Sequence, residues 1–171
     1  LKVFYRHGFH ATGVDFIARE TGMSKTLIYS HFSNKDALMS AVLERRDTNF
    51  RFWLEQRVEA LSTDPISKLF CIFDALAEWF NEEGFKGCMF IKASSEFMEP
   101  NHLLYMQSSE HKKKLELYFY TLAKDAGLPN PKDVARHIVL LKEGAINAAH
   151  LRMFSEPAQH AKQMLKLLIN Q

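Results

Sequence analysis

The sequence predicts an all-α protein of about nine helices, with an N-terminal three-helix, helix-turn-helix domain ahead of a larger C-terminal helical bundle. Three observations lead there. Apolar residues recur at intervals of three and four along the whole chain, and no segment alternates in the manner of a strand. Glycine or proline separates most of these segments, often beside a Ser, Asp or Asn able to cap the helix that follows. Residues 8–38, GFHATGVDFIARETGMSKTLIYSHFSNKDAL, read as two short helices, a tight turn between them, and the capped start of a third.

Taken in order, Leu1, Phe4 and Tyr5 already share one helical face, so further residues are expected upstream of Leu1. Val14, Ile17 and Ala18, with Thr21, give the next helix a buried side. Gly22 should end it, because glycine takes a left-handed backbone without steric cost. Met23 is expected to plug into the core, and Ser24 to cap a helix over about 24–31 that buries Ile28 and Phe32. The opposite face offers Lys25, Thr26, Tyr29, Ser30 and His31, all able to hydrogen-bond. Such a helix can enter the major groove of DNA.

Ser33-Asn34-Lys35-Asp36 caps a long helix over about 35–61, carrying Ala37, Leu38, Ala41, Val42, Phe52, Leu54, Val58 and Leu61. Asp64 and Pro65, cap then proline, open an aromatic-rich helix to about Phe80. Helices over 88–97 and 101–126 follow, the latter stopped at Gly127, and the last two cover about 132–154 and 157–169. The domain boundary is expected near 46, with residues 1–46 forming the helix-turn-helix domain and 47–171 a helical domain for ligand binding and dimerisation.

The chain has 171 residues, 47% of them hydrophobic, enough for a substantial core and too many for a disordered chain. Net charge is only +2, unevenly spread: residues 1–46 carry +3 and the remainder −1. A basic end on a near-neutral body fits phosphate binding at that end. Cys71 and Cys88 make no disulfide framework and lack metal-ligand spacing, so two cytosolic thiols are the expectation, with redox sensing by either left open. No apolar run reaches the length of a membrane span, and no signal peptide is visible, so a cytoplasmic location is expected.

The ordered series Gly8-Phe9, Ile17-Ala18, Gly22-Met23-Ser24-Lys25, Tyr29, His31-Phe32 and Lys35 resembles the DNA-binding domain of TetR/AcrR-type transcriptional regulators. In the body, Gly87-Cys88-Met89-Phe90-Ile91, Glu110-His111-Lys112 and Leu140-Leu141-Lys142-Glu143-Gly144-Ala145 resemble one subgroup of that family's regulatory domains. The resemblance implies a repressor that binds a double-stranded operator as a homodimer and is released by a small-molecule inducer. It assigns Tyr29, His31 and Lys35 to phosphate contacts. With Thr12, Ser24, Lys25, Thr26 and Ser30 these make the expected DNA-binding set. Two positions depart from the family pattern: Thr26-Leu27 stands where glycine and threonine are common, and Asp15 where arginine is.

Two further sites are expected in the body. Gly144, Ala145, Ala148 and Ala149 would let a helix approach closely; with Leu151, Leu165, Leu168 and Ile169 they suggest a four-helix dimer interface. Phe70, Phe73, Phe90, Phe97, Met98, Tyr105, Met106 and Tyr118 supply bulky, adaptable groups for an apolar ligand pocket, with Glu143, Asn147 and His150 as polar groups on one face of its last helix. The inducer is expected to be apolar or amphipathic. Histidines 102, 111, 137, 150 and 160 lack metal spacing, and Glu96 and Glu99 have no nucleophile or phosphate loop beside them. No metal, cofactor, membrane partner or enzymatic activity is therefore expected. The alternative reading is a helical small-molecule-binding or scaffold protein without DNA-binding function, and an enzyme on a helical bundle is a weaker third.

Overall fold

The helix starts at Lys25, Lys35 and Pro65 follow polar caps in the sequence. The computed structural model describes residues 1–169, and among them it has nine α-helices and no strand. These are α1 (Lys2–His7), α2 (Val14–Thr21), α3 (Lys25–His31), α4 (Lys35–Leu61), α5 (Pro65–Phe80), α6 (Met89–Glu96), α7 (Leu103–Asp125), α8 (Pro131–Leu151) and α9 (Pro157–Ile169). The Ser24 hydroxyl oxygen accepts from Leu27 N at 3.1 Å, Asn34 Oδ1 from Ala37 N at 2.8 Å, and Asp64 Oδ2 from Ser67 N at 2.8 Å. Each satisfies an amide that the first helical turn leaves without an intrahelical acceptor.

One boundary differs from expectation. Helix α8 stops at Leu151 rather than near 154, because Arg152 adopts a left-handed conformation at φ 53°. Its amide and that of Met153 return to the carbonyls of Ala149 and Ala148 at 3.2 and 3.0 Å. This closes the helix end in the usual left-handed way without the glycine that would have announced it.

The chain divides into two compact units. The first comprises Leu1–Asn49 together with Met89–His111, so the N-terminal unit contains α6 and the start of α7 in addition to the helices of the expected domain. Its interior holds Phe4, Phe9, Ile17, Ile28, Leu38, Met39 and Leu43. Phe9 stacks on Phe4 with ring centroids 5.2 Å apart and meets Phe97 edge-on at 6.4 Å. A buried polar pair, His111 Nδ1 and Asp47 Oδ1 at 2.7 Å, lies beneath the Phe90 ring, whose centroid is 3.6 Å from that of His111.

The second unit comprises Phe50–Cys88 and the chain from Lys112 onward. Its core takes Phe50, Leu54 and Val58 from α4, Leu69, Ile72, Phe73, Leu76 and Trp79 from α5, Leu115 and Phe119 from α7, Ile138 and Ile146 from α8, and Leu165 from α9. Helices α8 and α9 pack on one another, and α5 packs on both. Each fully buried Leu, Ile or Phe contributes roughly 1.5–3 kcal/mol by leaving water.

Candidate nucleic-acid interface

The helix-turn-helix is built by local chemistry. Helix α2 buries Ile17, and Thr21 Oγ1 donates to the Ile17 carbonyl at 2.7 Å in its last turn. Gly22 follows at φ 69° and ψ 11°, the left-handed geometry that lets the chain reverse into α3. Ser24 caps α3, whose buried residue is Ile28. Met23 does not enter the core as expected: it is exposed beside Gly22, because the turn itself is closed by backbone geometry.

The outer face of α3 presents Lys25, Thr26, Leu27, Tyr29, Ser30 and His31 to solvent. Ser30 Oγ donates to the Leu27 carbonyl at 2.8 Å, which leaves its lone pairs as acceptors. Lys25 pairs with Asp15 of α2, and both side chains are well exposed. An exposed pair of this kind is worth under about 1 kcal/mol, so a phosphate can replace the carboxylate at little cost. Lys35, half-buried at the head of α4, reaches the His10 carbonyl at 3.3 Å.

Thr12 is a correction to the expected set. It is fully buried, and its hydroxyl donates to the Gly8 carbonyl at 2.6 Å, closing the loop after α1 rather than facing outward. The residue that the sequence did not reveal is Glu96, read there only as one of two idle carboxylates. Its side chain accepts from Phe9 N at 3.0 and 2.9 Å and from His10 N at 2.6 Å, fixing the loop between α1 and α2. Gly8 is needed there for two reasons: its φ is 81°, and a Cβ would stand 2.9 Å from Glu96 Oε1. Lys92 adds a contact to the Tyr5 carbonyl at 3.3 Å.

The other expected sites are only partly brought together. Of the pocket residues, Phe90, Phe97, Tyr105 and Met106 belong to the first unit, whereas Phe70, Phe73, Tyr118, Glu143, Asn147 and His150 belong to the second. Asn147 and His150 are exposed, not directed inward, because α8 turns that face out while Ala145, Ile146 and Ala148 are buried. Glu143 needs no ligand as its partner, since Lys112 Nζ lies 2.7 Å away and Lys142 also pairs with it. The Tyr118 hydroxyl is buried and has no hydrogen-bond partner among the described residues. Burial, then the charges of Glu55 and Glu59, raise its pKa and keep it a neutral donor.

The interface residues divide likewise. Ala145, Ala148 and Leu165 are buried within the protomer, so they cannot form a dimer surface, whereas Gly144, Leu151 and Leu168 are exposed. Leu140, Gly144, Asn147 and Leu151 fall along one exposed line of α8, and Met164, Leu167 and Leu168 are exposed on α9. Among the described residues, no group of three His, Cys, Asp or Glu could hold a metal ion, and no helix is long and apolar enough to cross a membrane.

A supporting helix anchored by Ile17, a left-handed glycine turn and a capped helix with a polar outer face make a helix-turn-helix, a motif used by DNA-binding proteins. Residues 1–42 match the family of bacterial regulatory proteins, tetR family. That match is confined to the N-terminal 42 residues of the chain. The chain is 34% identical over 82 residues to the HTH-type transcriptional activator FasR of Mycolicibacterium smegmatis, covering 48% of this chain and 37% of FasR. It is 30% identical over 92 residues to the HTH-type transcriptional repressor ComR of Escherichia coli, covering 53% of this chain and 44% of ComR. These alignments span less than half the length of either relative. The fold as a whole is similar to SCO4454, a TetR-family transcriptional regulator from Streptomyces coelicolor. The TM-score is 0.90 at 24% identity, covering 99% of this chain and 89% of that one. The relatives named are all transcriptional regulators.

Proposed function

We propose that this protein is a ligand-responsive repressor that binds a duplex operator as a homodimer through α3. The observation that carries the reading is the outward face of α3, where Lys25, Thr26, Tyr29, Ser30 and His31 are exposed together on a helix anchored by Ile28 and capped by Ser24. Lys25 and Thr26 sit in the first turn, where side chains reach base edges, and exposed Leu27 can meet a thymine methyl group. Tyr29, His31 and Lys35 take phosphates.

The exposed Leu140 and Leu151 of α8, with Leu167 and Leu168 on α9, support a two-fold interface between copies. The unpartnered Tyr118 hydroxyl, in a unit rich in aromatic side chains, supports an amphipathic inducer that accepts one hydrogen bond. Such a ligand acts only by favouring the state that does not bind operator. Helices α4 and α7 each run unbroken from one unit into the other, a covalent route for that change. The experiment is selection of a bound duplex from a random library, followed by titration over a salt series. Affinity should fall with salt, and Lys35→Ala should lower the slope of that fall by about one ion. A chain that selects no duplex, or binds one independently of salt, is the helical small-molecule binder instead.

A further inference from the structure

Within the first unit, the half-buried Glu96 at the end of α6 turns to the loop that leads into the helix-turn-helix. Phe9 N donates to its two carboxylate oxygens at 3.0 and 2.9 Å, and His10 N donates to Oε2 at 2.6 Å. The Glu96 carbonyl adds a second hold, meeting His10 Nε2 at 2.8 Å. The His10 ring lies against Phe97, with centroids 4.4 Å apart, and Phe97 stacks in turn on His102 at 4.5 Å. His10 is thus fixed at its amide and at its ring. Its carbonyl accepts from Lys35 Nζ at 3.3 Å. A continuous path of hydrogen bonds therefore runs from the Glu96 carboxylate, through the backbone of His10, to the Lys35 ammonium.

We infer that Glu96 is a positioning residue for operator binding: by fixing His10, it holds the Lys35 ammonium ready for a DNA phosphate. This role presupposes the operator reading of α3 and Lys35. A lysine carries three N–H donors. The His10 carbonyl takes one of them, which leaves two for phosphate oxygens. That carbonyl is neutral, so it orients the ammonium without cancelling its charge. Lys25 is the contrast, because it pairs with the Asp15 carboxylate and must leave it to reach DNA. A free lysine stem loses rotamer freedom when it is ordered on binding, and a stem already held loses less.

The hold has to come from α6, because the loop cannot supply it. The Thr12 hydroxyl is engaged with the Gly8 carbonyl at 2.6 Å, and among the described residues no other acceptor reaches the amides of Phe9 and His10. An ionised carboxylate suits two adjacent amides better than a neutral acceptor, since hydrogen bonds to a charged group are the stronger ones. Glu96 also lies outside the matched residues 1–42. That segment therefore lacks the group that fixes its own entry loop.

The test is a double-mutant cycle on the full chain. A library-selected duplex is titrated over a salt series with the parent, Glu96→Ala, Lys35→Ala and the double variant, and melting is recorded for each. Glu96→Ala should behave as Lys35→Ala does, losing about tenfold in affinity near 0.1 M salt and lowering the salt slope by about one ion. The double variant should lose no more than Lys35→Ala alone, because Glu96 acts through that lysine. Glu96→Gln keeps the side-chain shape and one acceptor oxygen. It should lose only about threefold, and nothing once Lys35 is Ala, which preserves the cycle if Glu96→Ala does not fold. Without DNA, hydrogen exchange at the Phe9 and His10 amides should be at least about tenfold faster in the Glu96 variants than in the parent. Losses that add in the double variant, an unchanged salt slope in the Glu96 variants, or unchanged exchange would overturn the inference and leave the operator reading standing. A parent chain that selects no duplex, or a Lys35→Ala variant with its full salt slope, would overturn the phosphate role of Lys35 and the inference with it.

Discussion

Two lysine–carboxylate pairs in this chain do opposite things because of where they lie. Lys25 and Asp15 meet on the exposed face of the helix-turn-helix, with both side chains largely in water. Lys142 and Glu143 meet in the second unit, where the lysine is enclosed and a further lysine, Lys112, joins the same oxygen. Water already solvates the first pair, so separating it is nearly neutral and either charge can turn to a partner. The second has no solvent to fall back on, so removing one member strands the others. Exposed charge is available for recognition; buried charge is committed to the groups that enclose it.

The largest expected effect breaks the buried side of this comparison. Glu143→Ala should cost about 3 kcal/mol or more in urea unfolding at neutral pH, because Lys112 and Lys142 then face each other uncompensated. The pH dependence has a definite sign. Glu143 titrates at about 2 in the folded chain, below an ordinary carboxylate near 4.3, so its contribution is fully present above that ordinary value. The gap between parent and variant should therefore shrink as pH falls from about 5 towards 2.

Next in size is a contrast between two leucines. Leu165, fully enclosed on α9, should cost about 2–5 kcal/mol when changed to Ala. Leu151, 60% exposed on α8, should leave melting of the protomer little changed when replaced by Glu, yet convert a dimer to a monomer in sedimentation. If Leu151→Glu stays dimeric at micromolar concentration, the dimer does not use that face of α8. The smallest effect belongs to the exposed pair: Asp15→Asn should shift stability by less than about 0.5 kcal/mol while strengthening DNA binding modestly at low salt, where Lys25 is released to a phosphate.

The same contrast explains what the sequence disclosed. The helix-turn-helix is specified by residues next to one another: Gly22 permits the left-handed turn, Ser24 caps its own helix, and Asn34 caps the next. Such signals act within one turn of chain and can be read without knowing the fold. The faces of α8 and α9 are set by what packs against them. Leu165 and Leu168 are equally apolar and three residues apart, yet one is enclosed and the other open. Asn147 and His150 face out for the same reason. Glu96 acts on amides 86 and 87 positions away, a pairing that no local pattern contains. Lys142 sits within an apolar run, but only the fold reveals that Lys112, Glu143 and Cys88 converge on it.

The central claim is that the exposed face of α3 reads DNA. It is tested most directly by titrating a library-selected duplex with the parent chain and with the triple variant Lys25→Ala, Tyr29→Ala, Lys35→Ala, after confirming equal helicity and melting. Each of the three side chains is on or beside that face, and none contributes to a hydrophobic core. The account expects the variant to lose at least about 100-fold in affinity, with a shallower salt dependence. A folded triple variant that binds the duplex with unchanged affinity and unchanged salt slope would contradict it.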